Sequence, residues 1–456
     1  MRQDLPLLHR VMEKAYGGWA GAEKRGWDWN RWFAEWDREL ASRTTAKLPL
    51  AEALAPFGRL EDLQLDNHSG PVGLPFFSSG SRTAVLDSAP QGACTQMRTA
   101  EGAMLPIDPK DPAQAPKKAL ILADVNAPER EGYYFAYPAR RGIAAAVQCG
   151  GKWITARPTW AHSRRPLISS LAGKSPDEPS YRALNGEIAY LRLPTFSKQN
   201  GELLRKLVAA LPDSAGREKV LIVDMRSNDG GDEPLAQLAR WVDLPGLRNI
   251  RLGFGRRLPQ SCLYTALRWG YEQVGISGSC LYTALRWGYE QVGIKSLQPP
   301  ISDALRDSLQ RQLDGLFAPA ADGCPVSVQE THAAWGYREH RVTTEPPAGK
   351  PRLLMLVDNE CGSDCEFVTY MLSAQSGSVV AGENTFGVGQ FMQPGYFILP
   401  NSRIQFRIAL GMSDIDGDGR SFDGYGLDVD IVLPTEEAQG APAILRLANR
   451  LLQQLR

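Results

Sequence analysis

The feature that most constrains the fold is a set of short runs, all after Gly186, in which almost every residue is apolar and which alternate with helix-compatible stretches. A strand that is apolar on both faces is typical of a parallel sheet covered by helices. The sequence therefore predicts an α/β core over residues 186–456. The predicted core strands are 188–193, 220–225, 353–357 and 379–381.

The N-terminal part of the chain has a helical pattern instead. One apolar stripe has the spacing i, i+3, i+4, i+7 and i+11, which is typical of a helix that packs on one face. Its members are Trp29, Trp32, Phe33, Trp36 and Leu40. We interpret these side chains as core residues rather than as an aromatic ligand box, and we expect a helical N-terminal domain over residues 1–70.

Between these regions, the pattern indicates strands and turns. Proline-rich turns separate short strand-like runs such as 119–123 and 133–137. We therefore expect a small β-rich domain over residues 71–185. The predicted fold class is a multi-domain α/β protein with a helical N-terminal segment, a small β-rich middle domain and the α/β core.

Charge and hydropathy exclude several classes of function. Lys and Arg number 51, as do Asp and Glu, so no basic field is available to hold nucleic acid. No apolar run approaches the roughly 18 residues that a membrane span requires. Met1 is followed at once by polar residues, so we expect this chain to carry no leader. We also expect no cofactor.

The cysteines bear on the cellular compartment. Residues 261–276 recur letter for letter as residues 279–294, which we interpret as a recent duplication without chemistry of its own. Of the seven cysteines, one belongs to this copy, and an even set of six remains. An even set is typical of a disulfide-bearing extracytoplasmic protein, periplasmic or secreted, although scattered buried thiols are the alternative. The cysteines are Cys94, Cys149, Cys262, Cys280, Cys324, Cys361 and Cys365.

Two strand-to-helix turns carry the candidate chemistry. The strand 220–225 opens through Gly230 and Gly231, where backbone N–H groups can hold an anion or oxyanion, although an ordinary turn is the alternative. The strand 353–357 leads to Ser363 at the start of a predicted helix. Ser363 is either the N-cap of a capping box with Glu366 or an exposed nucleophile with the next N–H ready for an oxyanion.

Five motifs along the chain together resemble, in type and order, those of the C-terminal processing (tail-specific) serine peptidases. They are residues 186–197, 224–231, 361–366, 380–389 and 426–432. The resemblance covers about residues 186–432 and a short segment near His68. It implies a core of the C-terminal processing peptidase type, with Ser363 as the nucleophile.

The resemblance also implies an oxyanion hole and raises a question about the base. The N–H groups of Asp364 and of Gly230 or Gly231 correspond to the oxyanion hole. In the lysine-type members, a lysine follows the nucleophile by 25 residues, a position that is Val388 here. No lysine follows Lys350, so the Ser–Lys dyad is absent.

A histidine-type branch of this family, typified by the tricorn core protease, suggests a different base. Its upstream histidine corresponds to His68 and its acid to Asp423, which is shorter than the glutamate found there. Asn67 stands where that branch has a serine. An imidazole can take the Ser363 proton near neutral pH while Asp423 and Asn67 orient it. The rival histidines are His9, His162, His332 and His340.

We therefore expect a serine peptidase that cleaves peptide bonds through an acyl-enzyme. The first alternative is an inactive relative that binds a peptide or apolar ligand, motivated by the missing lysine. The second is an esterase or amidase with the same triad. We expect no metal, because Cys361 and Cys365 lack a second ligand pair, and the acidic run 414–419 has Tyr425 where a calcium loop needs glutamate. The two cysteines either form a local disulfide or simply pack.

Overall fold

The structure is a computed structural model of the chain. It describes residues 1–16, 19–24, 26–43, 49–58, 69–71, 80–111, 114–123, 126, 128–159, 171–172, 176–231, 234–243, 346–373, 375–389, 391–399, 401–402, 404–412 and 423–455. These residues form two compact units. The first contains the described parts of 1–71 and 391–412, and the second contains the remainder.

The secondary structure comprises both helices and strands. The helices are α1 (Leu5–Ala15), α2 (Trp19–Lys24), α3 (Trp29–Ala41), α4 (Leu50–Ala53), α5 (Ala55–Gly58), α6 (Lys198–Ala210), α7 (Asp364–Ser373), α8 (Glu436–Gln439) and α9 (Ala441–Gln453). The strands are β1 (Gly70–Pro71), β2 (Ser81–Leu86), β3 (Cys94–Thr99), β4 (Met104–Pro106), β5 (Lys117–Ile121), β6 (Arg130–Pro138), β7 (Ala144–Cys149), β8 (Lys152–Pro158), β9 (Ser180–Ala183), β10 (Ile188–Arg192), β11 (Val220–Asp224), β12 (Arg352–Val357), β13 (Val379–Gly382), β14 (Phe391–Ile398), β15 (Gln405–Met412) and β16 (Ile431–Val432). Among the described helices, none is both long and apolar enough to cross a membrane.

The first unit is built around α3, which confirms the helix predicted from the tryptophan stripe. Asp28 caps the helix, since its carboxylate accepts the Arg31 N–H at 2.9 Å. Four of the five stripe residues are buried, and Leu40 is partly exposed. The Trp36 indole N–H donates to the Ala53 carbonyl at 2.9 Å, so this buried ring keeps its polar atom satisfied.

His9 belongs to the same aromatic cluster. Its ring stacks on Phe33 with centroids 4.3 Å apart. Burial lowers the pKa of His9, which favours the neutral imidazole. His9 is therefore a packing residue of the first unit. The other four histidines lie outside the described residues.

The second unit is organised by one large sheet with a parallel centre. The strand order is β4-β3-β7-β8-β2-β6-β5-β16-β13-β12-β11-β10-β9. The strands β10, β11, β12 and β13 pair in parallel, with Arg192 opposite Asp224 and Asp224 opposite Leu356. Their carboxyl ends therefore lie at one edge of the sheet. All four strands are buried throughout, which confirms the predicted α/β core.

A helix covers this core through an apolar face. Side chains of α9 pack with side chains of β11 and β12 in one buried cluster, which removes both from water. The participants include Ile444, Leu447, Leu451, Val220 and Leu354. The predicted helix after Ser363 is also present, as α7. After Pro234, the described chain forms a short 3₁₀ turn, Leu235–Leu238.

The strands predicted between residues 71 and 185 join the same sheet. The predicted runs 119–123 and 133–137 correspond to β5 and β6, and β5 pairs in parallel with β16. A disulfide joins Cys94 on β3 to Cys149 on β7, which are partners in the strand register. The domain borders drawn from the sequence, 1–70, 71–185 and 186–456, stay predictions.

Two glycines provide a test of this packing. Gly201 lies inside α6, where a Cβ would meet nothing within 4 Å. We expect Gly201→Ala to raise the free energy of unfolding by about 0.5–1 kcal/mol, because alanine restricts the unfolded chain and favours the helix. Gly132→Ala is the contrasting variant, since its Cβ would lie 2.6 Å from Ile121 Cγ1. Urea unfolding that ranks Gly132→Ala as the more stable variant would contradict the described contact between Gly132 and Ile121.

Candidate active site

The candidate site lies where two neighbouring parallel strands end. After β11 and β12, the chain enters turns that each contain a residue with positive φ, Ser227 at 57° and Ser363 at 54°. In the described part of the chain, these are the two non-glycine residues with this conformation. A left-handed conformation costs such a residue roughly 1–2 kcal/mol, so surrounding contacts must hold it in place.

Asp358 holds the two turns together. Its carboxylate is fully buried and accepts the Ser227 N–H at 2.9 and 3.0 Å. It also accepts the Glu360 N–H at 3.0 Å, within its own turn. Hydrogen bonds to a carboxylate are stronger than those between neutral groups. Asp358 therefore fixes the backbone of both turns.

Asn228 makes a second connection through its backbone and its side chain. Its carbonyl accepts the Gly362 N–H at 3.0 Å, next to the candidate nucleophile. Its buried side-chain amide donates to the Leu193 carbonyl at 2.9 Å and accepts the Gly230 N–H at 2.8 Å. Asn228 thus joins the segments that follow β10, β11 and β12.

The bond to Asn228 bears on the predicted oxyanion hole. Because the Gly230 N–H donates to the Asn228 side chain, Gly231 is the member of the glycine pair whose N–H remains a candidate donor. The Gly230 carbonyl accepts the Phe196 N–H at 2.8 Å, which anchors the glycine pair to the segment after β10. The assignment of the oxyanion donors stays a prediction.

Gly230 lies directly against the candidate nucleophile. Its φ is 95°, and a Cβ built there would be 2.7 Å from the Gly362 oxygen, 2.8 Å from Ser363 Cβ and 2.9 Å from the Asp364 nitrogen. Only glycine fits a backbone approach of this kind. The structure thus brings together Ser363, Asp364 and Gly230, three of the residues predicted from the sequence.

A buried charge network supports the base of the first turn. Arg226 Nη2 lies 2.6 Å from Asp224 Oδ2, and both side chains are fully buried. Burial alone would oppose ionisation, but Arg226 and Arg192 hold the pKa of Asp224 below its ordinary value. Arg192 also donates to the Arg226 carbonyl at 2.7 Å. The network fixes the chain immediately before Ser227.

Glu366 anchors the second turn from the helix side. Its buried carboxylate accepts hydrogen bonds from the N–H of Ser363 and, at 2.7 Å each, from the N–H groups of Gly387 and Val388. The Thr385 hydroxyl also donates to it. The bond from Ser363 is the carboxylate half of the predicted capping box. Glu366 therefore connects the turn that contains Ser363 to residues 385–388.

Glu366 titrates in an unusual range. Burial raises its pKa from 4.5 to about 7, although the hydrogen bonds from Thr385, Val388, Gly387 and Ser363 act in the opposite direction. The proton on this carboxyl group is thus exchanged near neutral pH. The sequence singled out Glu366 only as a capping residue.

Val388 occupies the position where lysine-type members have their base. It is buried, and a Cβ on Gly362 would lie 3.2 Å from Val388 Cγ2. The neighbouring Phe386 N–H donates to the Cys361 carbonyl at 2.8 Å, so this loop contacts the turn around Ser363 directly. An apolar side chain therefore packs on the turn at position 388.

Asp423 is buried and starts a segment that is bonded to the same loop. The Gly424 N–H donates to the Gly387 carbonyl at 2.8 Å, and the Leu427 N–H donates to the Thr385 hydroxyl at 2.7 Å. Thr385 in turn donates to Glu366. The segment that begins at Asp423 is thus bonded to the loop around Thr385 and Gly387, while the role of Asp423 as the orienting acid stays a prediction.

Several predicted features lie outside the described residues. They include His68, Asn67, the duplicated segment and the acidic run 414–419. The alternative left open for Cys361 and Cys365 is decided, because the two form a disulfide with Cα atoms 5.4 Å apart. Within the described part, no cluster of histidine, cysteine and carboxylate side chains has the makeup of a metal site.

Neither Asp358 nor Asn228 was predicted from the sequence to be a residue of the site. Each follows a buried strand closely, which is a usable signal for a residue that bonds across a sheet edge. Polar residues at such positions are also common in ordinary turns, so the signal alone did not distinguish them.

The pH dependence of stability tests the environment of Glu366. Its folded pKa is raised, so its stabilising contribution is complete below pH 4.5 and is lost as the pH rises towards 7. We expect wild type to lose up to roughly 3 kcal/mol over this range relative to Glu366→Gln. Urea unfolding at several pH values measures the difference. The exposed control Glu360→Gln should follow wild type, and parallel curves for wild type and Glu366→Gln would contradict the assignment.

Comparison with known proteins gives similarity to solved structures only. No protein-family profile and no curated protein sequence matches the chain. Mature CPAF is similar with a TM-score of 0.42 and 14% identity, over 99% of this chain and 95% of that one. The photosystem II D1 C-terminal processing protease has a TM-score of 0.36 and 12% identity, over 95% and 92%.

The tricorn protease is also similar, with a TM-score of 0.38 and 12% identity, over 100% of this chain and 37% of that one.

Proposed function

We propose that this chain is a serine peptidase that cleaves peptide bonds through an acyl-enzyme formed on Ser363. The observation that carries the proposal is the left-handed backbone of Ser363 in a strand-to-helix turn that is packed against Gly230. Such a conformation is unfavourable for serine, and strained residues of this kind cluster at active sites. A capping residue alone would need no such strain, because N-cap residues adopt extended backbone angles.

The proposed reaction follows from the groups around Ser363. His68 takes the Oγ proton as Ser363 attacks the scissile carbonyl, then returns it to the leaving amine. Asp423 and Asn67 orient the imidazole. The Asp364 N–H and an N–H of the Gly230–Gly231 pair stabilise the oxyanion. The order of motifs in the sequence supports these roles.

We propose a location outside the cytoplasm, periplasmic or secreted. Two disulfides, Cys94–Cys149 and Cys361–Cys365, support this proposal, because such bonds persist in oxidising compartments. The expected substrate is a peptide or protein, and the balance of 51 basic and 51 acidic residues gives no reason to expect a nucleic acid.

A second candidate is an inactive relative that binds a peptide or apolar ligand. The buried valine at position 388, beside Gly362, favours it, because the base of the lysine-type members is absent there. The two candidates differ in one respect that can be measured, which is the reactivity of the Ser363 hydroxyl.

Labelling with a fluorophosphonate probe separates them. We expect wild type to react, Ser363→Ala not to react, and His68→Ala to react roughly 10²–10⁴-fold more slowly because it lacks the general base. The exposed Ser214 offers a matched control, and Ser214→Ala should react like wild type. A folded wild type that does not react would favour the binding candidate, and labelling that survives in Ser363→Ala would identify another nucleophile.

Replacing Gly230 tests the packing on which the proposal rests. We expect Gly230→Ala to lose most of its labelling rate, because the added methyl would lie within 3 Å of Ser363 Cβ and the Asp364 nitrogen. Gly186→Ala is the control, since a Cβ there meets nothing within 4 Å. Both variants are compared by labelling rate and by thermal unfolding. Wild-type reactivity in Gly230→Ala would contradict the described contact.

A further inference from the structure

The Cys361–Cys365 disulfide encloses the candidate nucleophile. It joins the residue two before Ser363 to the residue two after it, with Cα atoms 5.4 Å apart. The closed ring also contains Asp364, whose N–H is a predicted oxyanion donor. Both cysteines are fully buried. In the described residues, no other covalent cross-link lies in this part of the chain.

The turn inside this ring has reason to need a cross-link. Ser363 has a φ of 54°, a left-handed conformation that is unfavourable for serine. Gly362, the residue before it, gives the backbone the freedom to leave this conformation. Two backbone bonds oppose such relaxation, from Gly362 N–H to Asn228 O and from Cys365 N–H to Gly362 O, each 3.0 Å long. A short covalent ring removes the conformations in which Gly362 and Ser363 relax together.

Cys361 also carries the contacts that place the neighbouring loop. Its N–H donates to the Asp358 carbonyl at 3.0 Å, and its carbonyl accepts the Phe386 N–H at 2.8 Å. Cys365 lies in the first turn of α7, next to Glu366. The disulfide therefore connects the strand end to the helix start on the two sides of Ser363.

The second disulfide stands in a different setting. Cys94 and Cys149 are opposed partners on β3 and β7, which the sheet register already holds together. That bond cross-links a strand pair and encloses no candidate site residue. The Cys361–Cys365 disulfide therefore closes a ring that contains Ser363, and the Cys94–Cys149 disulfide serves as an internal control.

We propose that Cys361 and Cys365 are positioning residues whose disulfide holds Ser363 in its reactive backbone conformation. The proposal rests on the proposed function of Ser363 and adds a condition to it, which is that full reactivity requires oxidative folding. Without the bond, the turn relaxes and the Ser363 Oγ leaves the alignment that attack requires.

The redox step is simple to balance. The two thiols lose two protons and two electrons, the S–S bond forms, and a disulfide oxidant of the compartment is reduced to two thiols. A dithiol reductant reverses the step. Because both cysteines are buried, either reagent reaches the sulfurs only when the turn opens. The state of the bond is therefore set during folding rather than adjusted in the folded protein.

The test compares the two cysteine pairs in the full chain. Inactivation by a fluorophosphonate is measured over a range of probe concentrations, which separates the maximal rate constant from the probe concentration at half-saturation. We expect Cys361→Ala/Cys365→Ala to lose on the order of 10–100-fold in the maximal rate constant at an unchanged half-saturating concentration, because misplacement of a reacting atom affects the chemical step. Cys94→Ala/Cys149→Ala should keep both values.

The two failures are distinguishable. No labelling of wild type would overturn the proposed function and this inference with it. Normal labelling of wild type and an unchanged maximal rate constant in Cys361→Ala/Cys365→Ala would overturn the positioning role alone. An equal loss of reactivity in both cysteine pairs would also overturn the positioning role. Thermal unfolding of both variants shows whether a loss of stability accompanies the loss of reactivity.

A refolding experiment keeps the inference testable if the alanine pair does not fold. The Cys94→Ala/Cys149→Ala protein is unfolded, reduced and refolded with and without oxidised glutathione, and mass spectrometry determines whether Cys361 and Cys365 are joined. We expect the folded fraction that lacks this bond to react on the order of 10–100-fold more slowly than the fraction that contains it. Equal labelling of the reduced, folded fraction would overturn the inference.

Discussion

The hydrogen bonds between two turns, at the ends of β11 and β12, are the interactions on which the rest of the site depends. Ser227 N–H bonds to the Asp358 carboxylate, and Gly362 N–H bonds to the Asn228 carbonyl. The parallel register brings both turns to one sheet edge. These bonds hold Ser227 and Ser363 in the left-handed conformation, which is unfavourable for serine in an isolated turn. They also place Gly230 against Ser363.

Around this pair of turns, buried groups are hydrogen-bonded to the segments that flank Ser363. Glu366 connects Ser363 to residues 385–388, and Thr385 connects that loop to the segment after Asp423. Burial raises the pKa of Glu366 to about 7, so its carboxyl proton is exchanged near neutral pH. Preorganised groups of this kind support chemistry better than mobile ones. Val388, by contrast, adds only apolar packing.

The sequence predicted the elements well and the connections between them poorly. Apolar runs identified β10 to β13, and helical spacing identified α3, because these patterns record burial directly. The positions of Ser363, Asp364 and Gly230 followed from family-like motifs. The roles of Asn228 and Asp358 depend on strand register, which one sequence does not contain. The disulfide partners Cys94 and Cys149 likewise meet only through sheet pairing.

The most direct test of Ser363 as the nucleophile is a crystal structure of the protein after reaction with a fluorophosphonate. We expect phosphorus bonded to Ser363 Oγ, a left-handed Ser363, and a phosphonyl oxygen about 2.7–3.1 Å from the Asp364 nitrogen and from a nitrogen of the Gly230–Gly231 turn. An adduct on another serine, or an oxygen that points away from both turns, would contradict it.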